Sequence, residues 1–357
     1  MKSKSKTLIV LMGVLMVCVC LVGFSNVTTA AAKDNYTVAM VLTDLTNDFY
    51  VNMKTAGQDC ADDYGFNIIF ESCENSMDTQ TTVMQNMIAQ GVDCILVDPI
   101  DAKAIIPSIK EAEAAGIPVV TMGNKVDYTW NVNTLYNDYQ DSYVIAQILA
   151  KLSDEEGEVG LIYGNTGNFC SDQRQAGFEA GIGEFPNMTV YSVPGNWSGE
   201  DGYNQAADLM NSHPNLKAIH SVSDSVTYSV LKAIKDAGKQ ESIILSSYDG
   251  ETTASDNVAN GDFLLTLLTG SMRVGYYNAY VGYCLAAGYD IEGLGDDNIL
   301  YLSSHFIMND DLKAKVEDWG IGYEGMDIMD PASGVEMFSG YRTEWAPEIT
   351  GTPVISK

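Results

Sequence analysis

From Tyr36 onward, apolar runs and amphipathic stretches alternate at a nearly constant spacing, and this alternation limits the chain to a small set of folds. YTVAMVLT is followed by an amphipathic stretch over 48–64, NIIFES by one over 77–90, CILV by one over 102–115, and IPVVTM closes the series. Gly91 and Gly116 end two of the helical stretches, where a residue without a Cβ enters the left-handed conformation at least cost. Strands alternating with helices at this spacing predict a parallel sheet with right-handed crossovers.

A second series starts after Trp130-Asn131-Val132-Asn133. It reads as helix 141–152, strand EVGLIYG, helix 171–183, strand MTVYSV, helix 201–211, strand LKAIHSV, helix 224–237 and strand SIILSSY. The expected fold class is therefore α/β, with two similar doubly wound parallel-sheet lobes. Past Asp249 come a helix over 252–260, a short strand FLLTLL, an apolar helix over 274–287 and a strand ILYLSSHFIM. Beyond Asn309 a stretch rich in Gly, Met and acids has no periodicity that decides its form.

The first residues, MKSKSK, are basic, an apolar run over 7–24 follows, and Ala30 and Ala32 supply a small-residue cleavage pattern. That order predicts a secretory signal peptide over 1–32 and an extracytoplasmic mature chain, in the periplasm or on the outer face of the membrane. Cys18 and Cys20 invite a lipid anchor, but Val17 and Val19 precede them where a lipoprotein signal would carry a small residue. The formal charge of −29 becomes more negative once the leader's Lys2, Lys4 and Lys6 are gone. Such a field argues against nucleic acid, anionic lipid and phosphorylated ligands. Five cysteines follow the leader (Cys60, Cys73, Cys94, Cys170 and Cys284), with no CxxC pair and an odd count, so they are expected as buried small hydrophobes.

Polar, aromatic and acidic residues recur just beyond the apolar strands: Asn47 and Phe49, Asp98, Asn124, Asn168, Trp197, Ser223 and Asp249. The carboxyl ends of parallel strands line the ligand crevice of a doubly wound protein, so this recurrence describes a binding pocket.

Four segments carry a family resemblance: VAMVLTDLTNDFYVNMKTAGQDCADDYGFNI, QNMIAQGVDCILVDPIDAKAIIPSIKEAEAAGIPVVTMGNK, RQAGF from Arg174, and YDG from Tyr248. They resemble the ribose- and galactose/glucose-binding proteins of bacterial ABC sugar transporters, which are type I periplasmic binding proteins. The likeness covers about 36–309. It implies a three-strand hinge between the lobes. The N-terminal lobe would comprise 33–134 plus 270–303, and the C-terminal lobe 135–269 plus 304–309, with a C-terminal extension over 310–357.

A sugar ring has apolar faces and a hydroxyl rim, so a selective site needs aromatic plates and hydrogen-bonding groups in the ring plane. Phe49 and Trp197 stand where the family places its plates, with Tyr50 beside Phe49. Asn47, Asn124, Arg174 and Asp249 stand at matching polar positions. Each has a plain structural competitor: Asn47 as a helix cap, Asn124 as a turn residue, Asp249 as a cap for the next helix. Asn168 and Cys170 occupy a loop where galactose binders carry histidine and aspartate, Ser223 replaces a family asparagine, and Thr269 replaces a longer amide. Asp98 is expected to end its strand as a turn residue or as a support behind the ligand-contacting side chains.

None of the histidines, His213, His220 and His305, neighbours a candidate nucleophile, and no GxSxG, HExxH, Walker or EF-hand pattern is present. The expectation is a monomeric binding protein without cofactor, metal or catalytic residue. It would capture a monosaccharide by hinge closure and deliver it to ABC permease subunits. The alternative is a receptor for another small polar ligand, a nucleoside, polyol or furanosyl signal, feeding a transporter or sensor kinase.

Overall fold

A computed structural model describes residues 35–291, 298–342 and 355–356. The expected signal peptide and its cysteines lie outside the described residues. Among the described residues, no helix is long and apolar enough to cross a membrane.

The first lobe is built on β1 (Thr37–Leu42), α1 (Asp48–Tyr64), β2 (Asn67–Ser72), α2 (Met77–Gln90), β3 (Cys94–Val97), α3 (Ile106–Ala114), β4 (Val119–Met122) and β5 (Asn131–Leu135). Its helix ends follow local chemistry. Asn47 caps α1 by accepting from the Phe49 backbone N–H at 3.0 Å, Ser76 caps α2, and Gly65 and Gly91 end these helices with φ of 73° and 68°. The helix expected over 102–115 starts only at Ile106, because the Asp101 carboxylate holds the Lys103 and Ala104 N–H groups in a turn.

The second lobe continues with α4 (Asp138–Leu152), β6 (Glu156–Tyr163), α5 (Phe169–Gly183), β7 (Asn187–Pro194), α6 (Gly199–Ser212), β8 (Leu216–Ser221), α7 (Asp224–Asp236), β9 (Ile244–Ser246), α8 (Thr252–Asn260) and β10 (Leu265–Leu268). Then come α9 (Ser271–Ala286), β11 (Asp290–Ile291), β12 (Ile299–Tyr301), β13 (His305–Met308), α10 (Asp310–Trp319), β14 (Asp327–Met329), α11 (Pro331–Ser339) and β15 (Ile355–Ser356). Over its described residues, the stretch past Asn309 is thus helix, strand and helix, followed by the short β15.

A six-stranded parallel sheet runs β12-β5-β4-β3-β1-β2, and a four-stranded parallel sheet runs β7-β6-β8-β9. A third sheet, β10-β13-β14, extends the second: Ser247 N–H donates to Leu265 at 3.0 Å and Asp249 N–H to Leu267 at 2.8 Å. The run ILYLSSHFIM is therefore not one strand. Its first half pairs with β5 and its second with β10, so Leu302–Ser304 carry the chain from one lobe to the other. The chain also crosses between β5 and α4, and between β10 and α9, which packs on β1, β3 and β4. These passages form the three-strand hinge.

Each lobe has apolar clusters on both faces of its sheet. Val38, Met40, Leu96 and Val274 share one cluster with α1 and α9, while Ala39, Val41, Ile95 and Ile109 share the opposite one. Strands buried on both faces read as continuous apolar runs, which is why they were so plain in the sequence.

Candidate functional site

The loops leaving the carboxyl ends of β1, β3, β4, β6, β7, β8, β9 and β10 converge on one cavity, which holds about 60 Å³ of space for the centres of water-sized spheres. Asn47, Phe49, Tyr50, Asn124, Asn168, Arg174, Trp197, Ser223, Asp249 and Thr269 all line it. So do Met53, Asp98, Met122, Gly123, Tyr136, Cys170 and Val274.

On the first-lobe side the polar centre is Asp98, which is 6% exposed. It accepts from the Asn124 amide at 2.6 Å and from the Thr43 hydroxyl at 3.1 Å, and the Tyr50 hydroxyl also bonds to it. Burial pushes its carboxyl up to about 6, against the pull of those donors. Of the two roles expected for Asp98, turn or support, its bonds fit the supporting one: it is the hub of this wall.

On the second-lobe side Arg174, also 6% exposed, projects from the buried face of α5. Its Nε donates to Asp138 at 2.8 Å, and its Nη1 to the Val222 carbonyl at 2.7 Å and more loosely to Asp249 at 3.3 Å. The guanidinium lies 3.7 Å from the centre of the Tyr248 ring. The other Asp249 oxygen accepts from the Ser223 hydroxyl at 2.9 Å. Burial raises the Asp249 carboxyl, and it raises that of the neighbouring Asp224 too, which the charge of Asp249 pushes up further. Asp249 holds a backbone φ of 110°, and Gly250 follows at 71°, where a Cβ would stand 2.3 Å from the Leu268 Cα. Strain of this kind costs about 1–3 kcal/mol and persists where the surroundings enforce it.

Trp197 is presented by a left-handed turn, with φ of 50° at Asn196 and 58° at Trp197. Its indole crosses the backbone of Gly164, where a Cβ would be only 2.2 Å from the ring. Phe49, in the first turn of α1, packs edge-to-face on Tyr50 with ring centres 5.5 Å apart. The Thr269 hydroxyl is buried without a protein partner.

Several bonds span the two lobes directly. Asn47 donates to Ser225 at 3.3 Å, Asn52 to Glu251 at 2.8 Å, Asn165 to Asn75 at 2.9 Å and Asn168 to the Pro99 carbonyl at 3.0 Å. The Cys170 N–H donates to the Asn124 side chain at 2.9 Å. The chain is thus in a closed arrangement. Asn47 and Asn168 also cap α1 and α5 with their oxygens, so the capping role weighed against ligand contact is present, while each side-chain nitrogen keeps one N–H beyond its cross-lobe bond.

Met53, Met122 and Val274 look like core residues in the sequence, and Tyr136 follows β5, whose buried asparagines give no apolar strand signature. The Cys170 thiol donates to Asn168 at 3.0 Å, and burial keeps it protonated. No histidine or lysine lines the cavity. His220 is buried against Phe178 and pushed down to about 3 by that burial. Among the described residues, no group of acids, cysteines and histidines could hold a metal ion.

Residues 38–290 match the family model described as periplasmic binding protein domain. The chain is 26% identical over 244 residues to the ribose import binding protein of Salmonella typhimurium, covering 67% of this chain and 80% of that one. A solute-binding protein from Actinobacillus succinogenes, solved with bound D-allose, superposes with a TM-score of 0.71 at 22% identity, covering 78% of this chain and 100% of that one. One from Bacillus halodurans, solved with bound myo-inositol, superposes at 0.72 and 19% identity, covering 80% and 99%.

Proposed function

Because the chain belongs to the periplasmic binding protein domain family, we propose that it captures a monosaccharide between its lobes by hinge closure and delivers it to ABC permease subunits. One observation carries this reading: an interlobe cavity joins the aromatic side chains Phe49, Tyr50 and Trp197 to hydrogen-bonding groups from both lobes. Aromatic faces suit the C–H faces of a sugar ring, and Asp98, Arg174 and Asp249 suit its hydroxyl rim. The lobes would run over 33–134 plus 270–303 and 135–269 plus 304–309.

The ten expected contact residues divide by role. Phe49, Tyr50 and Trp197 would cover the ring. Arg174, Asp249, Ser223 and Thr269 would meet hydroxyls from the second lobe. Asn47, Asn124 and Asn168 would shape the closed cage while offering their remaining N–H groups. Ligand that touches both lobes binds the closed form better, and this differential affinity populates it. Nothing in such a cycle makes or breaks a bond, so the protein would be a receptor and not an enzyme. It would work outside the cytoplasm, as a monomer, without cofactor or metal.

The second reading is a polyol or another small polar ligand in the same cavity, favoured by the likeness to the myo-inositol-bound protein. A thermal-shift screen over pentoses, hexoses, polyols and nucleosides tests both, since ligand raises the melting temperature by mass action. A response among monosaccharides supports the first reading. A response only among polyols or nucleosides replaces it with the second, and silence throughout rejects both.

A further inference from the structure

The chain's last described segments tie the two lobes together a fourth time. α11 sits mainly on the second lobe and also touches α9 of the first. It packs on α8 and β13 so closely that a Cβ at Gly334 would stand 2.5 Å from Ile307 and 3.2 Å from Ser255. β14, just before it, pairs with β13. Past Gly340 the chain meets the first lobe. Tyr341, 7% exposed, enters the apolar cluster of α1 and α9, with its ring centre 5.7 Å from that of Tyr276. Its hydroxyl bonds to Asp59 on α1, and Arg342 pairs with Asp59 and, at 3.5 Å, with Asp63. Farther on, β15 pairs with β11, just beyond α9.

These contacts answer an electrostatic need. The last two turns of α1 carry Asp59, Asp62 and Asp63 and no basic residue in the last turn, which sets negative charge against the negative end of the helix dipole. Arg342 supplies the missing cation. The contact lies well away from the cavity, since Asp59 is twelve residues past Asn47, roughly 18 Å along α1 at about 1.5 Å per residue.

Only Gly340 separates the end of α11 from Tyr341, and one or two extended residues span at most about 7 Å. A swing that parts α11 from α1 by more than this must undock Tyr341 and Arg342. We infer that the Tyr341-Arg342 segment is a clasp across the hinge that favours the closed form and limits opening. The inference rests on the hinge-closure reading but not on the identity of the ligand.

The test uses no ligand, so its failure is distinct from failure of the sugar-binding reading. Asn75 and Asn165 meet across the cleft, and neither lines the cavity. In an Asn75→Cys/Asn165→Cys background, the rate of disulfide formation reports the closed population. A Gly-Ser-Gly-Ser insertion after Gly340 lengthens the tether and leaves the docking residues in place. It should slow disulfide formation at least about fivefold, the low end of typical coupling. Arg342→Ala should slow it less. Unchanged or faster rates in both variants overturn the clasp. So does loss of a cooperative melting transition in either, because Tyr341 and Arg342 would then be part of the first lobe's fold and not a clasp upon it.

Discussion

The guanidinium of Arg174 rests on the ring of Tyr248, 3.7 Å from its centre, while its Nε donates to Asp138 at 2.8 Å. One side chain thus links α5, the start of α4 and the end of β9, and its Nη1 brings in Asp249 at the cavity wall. Removing it leaves two buried carboxylates without their cation.

Arg174→Met, similar in volume but uncharged, should destabilise the ligand-free protein by about 3 kcal/mol, the cost of breaking a buried charge pair from one side. It should also abolish sugar binding. Urea denaturation and titration calorimetry check the two effects. Stability and affinity both close to wild type would mean that the cluster is dispensable.

Trp197→Ala and Asp249→Ala should each weaken binding at least about tenfold, or about 1.4 kcal/mol, with the fold retained. Gly164→Ala should produce the same loss with the tryptophan still present, because its Cβ would displace the indole. Intrinsic fluorescence should change on ligand addition in the wild type and much less in the Trp197 variant. Full affinity in all three variants would exclude this wall from the site.

Thr269→Val separates binding from stability. The Thr269 hydroxyl is buried without a protein partner, so removing it should leave stability unchanged or slightly raised. If the hydroxyl bonds to ligand, affinity should fall by about 0.5–1.5 kcal/mol. A stability loss with unchanged affinity would reverse the assignment.

The buried carboxylates predict an acid-favouring stability profile. Burial pushes Asp98 and Asp141 up to about 6 and Glu251 up to about 7, against about 4 in an unfolded chain. Between these limits the native protein holds more protons than the unfolded one. Their contribution is therefore full below about pH 4 and is lost as pH rises through 6 and 7. The ligand-free melting temperature should fall across that window, with on the order of 3 kcal/mol from Asp98 alone. Asp98→Asn should flatten the slope, and a melting temperature that rises with pH there would contradict the assignment.

The sequence made the doubly wound architecture legible because most strands are buried on both faces and read as apolar runs. It also placed ten polar and aromatic residues at strand ends that the structure brings around one cavity. β5 escaped that logic. Asn131 and Asn133 are buried and held by tertiary bonds: Asn133 accepts from Thr121 at 2.7 Å, from the Val126 N–H at 2.8 Å and from the Asn131 amide at 2.9 Å, while the Asn131 oxygen has no protein partner. Such a strand carries no apolar signature. The split of ILYLSSHFIM leaves no local mark, since its apolar pattern continues across the crossing where Ser304 bonds to Asp141 at 2.7 Å; only the family resemblance implies a lobe boundary at 303–304. Between turn and supporting roles for Asp98 the sequence does not decide, because its hub role depends on Asn124 and Thr43, which are distant in sequence. The form of the C-terminal stretch depends on β13 and α1, contacts that no local pattern encodes.

The most direct test is a crystal structure of the protein with the best-binding sugar from the screen. The account predicts density in the cavity between the lobes, in contact with Phe49 and Trp197 and within hydrogen-bonding distance of Arg174 or Asp249. A sugar bound with full occupancy anywhere else on the molecule, with that cavity holding only water, would contradict it.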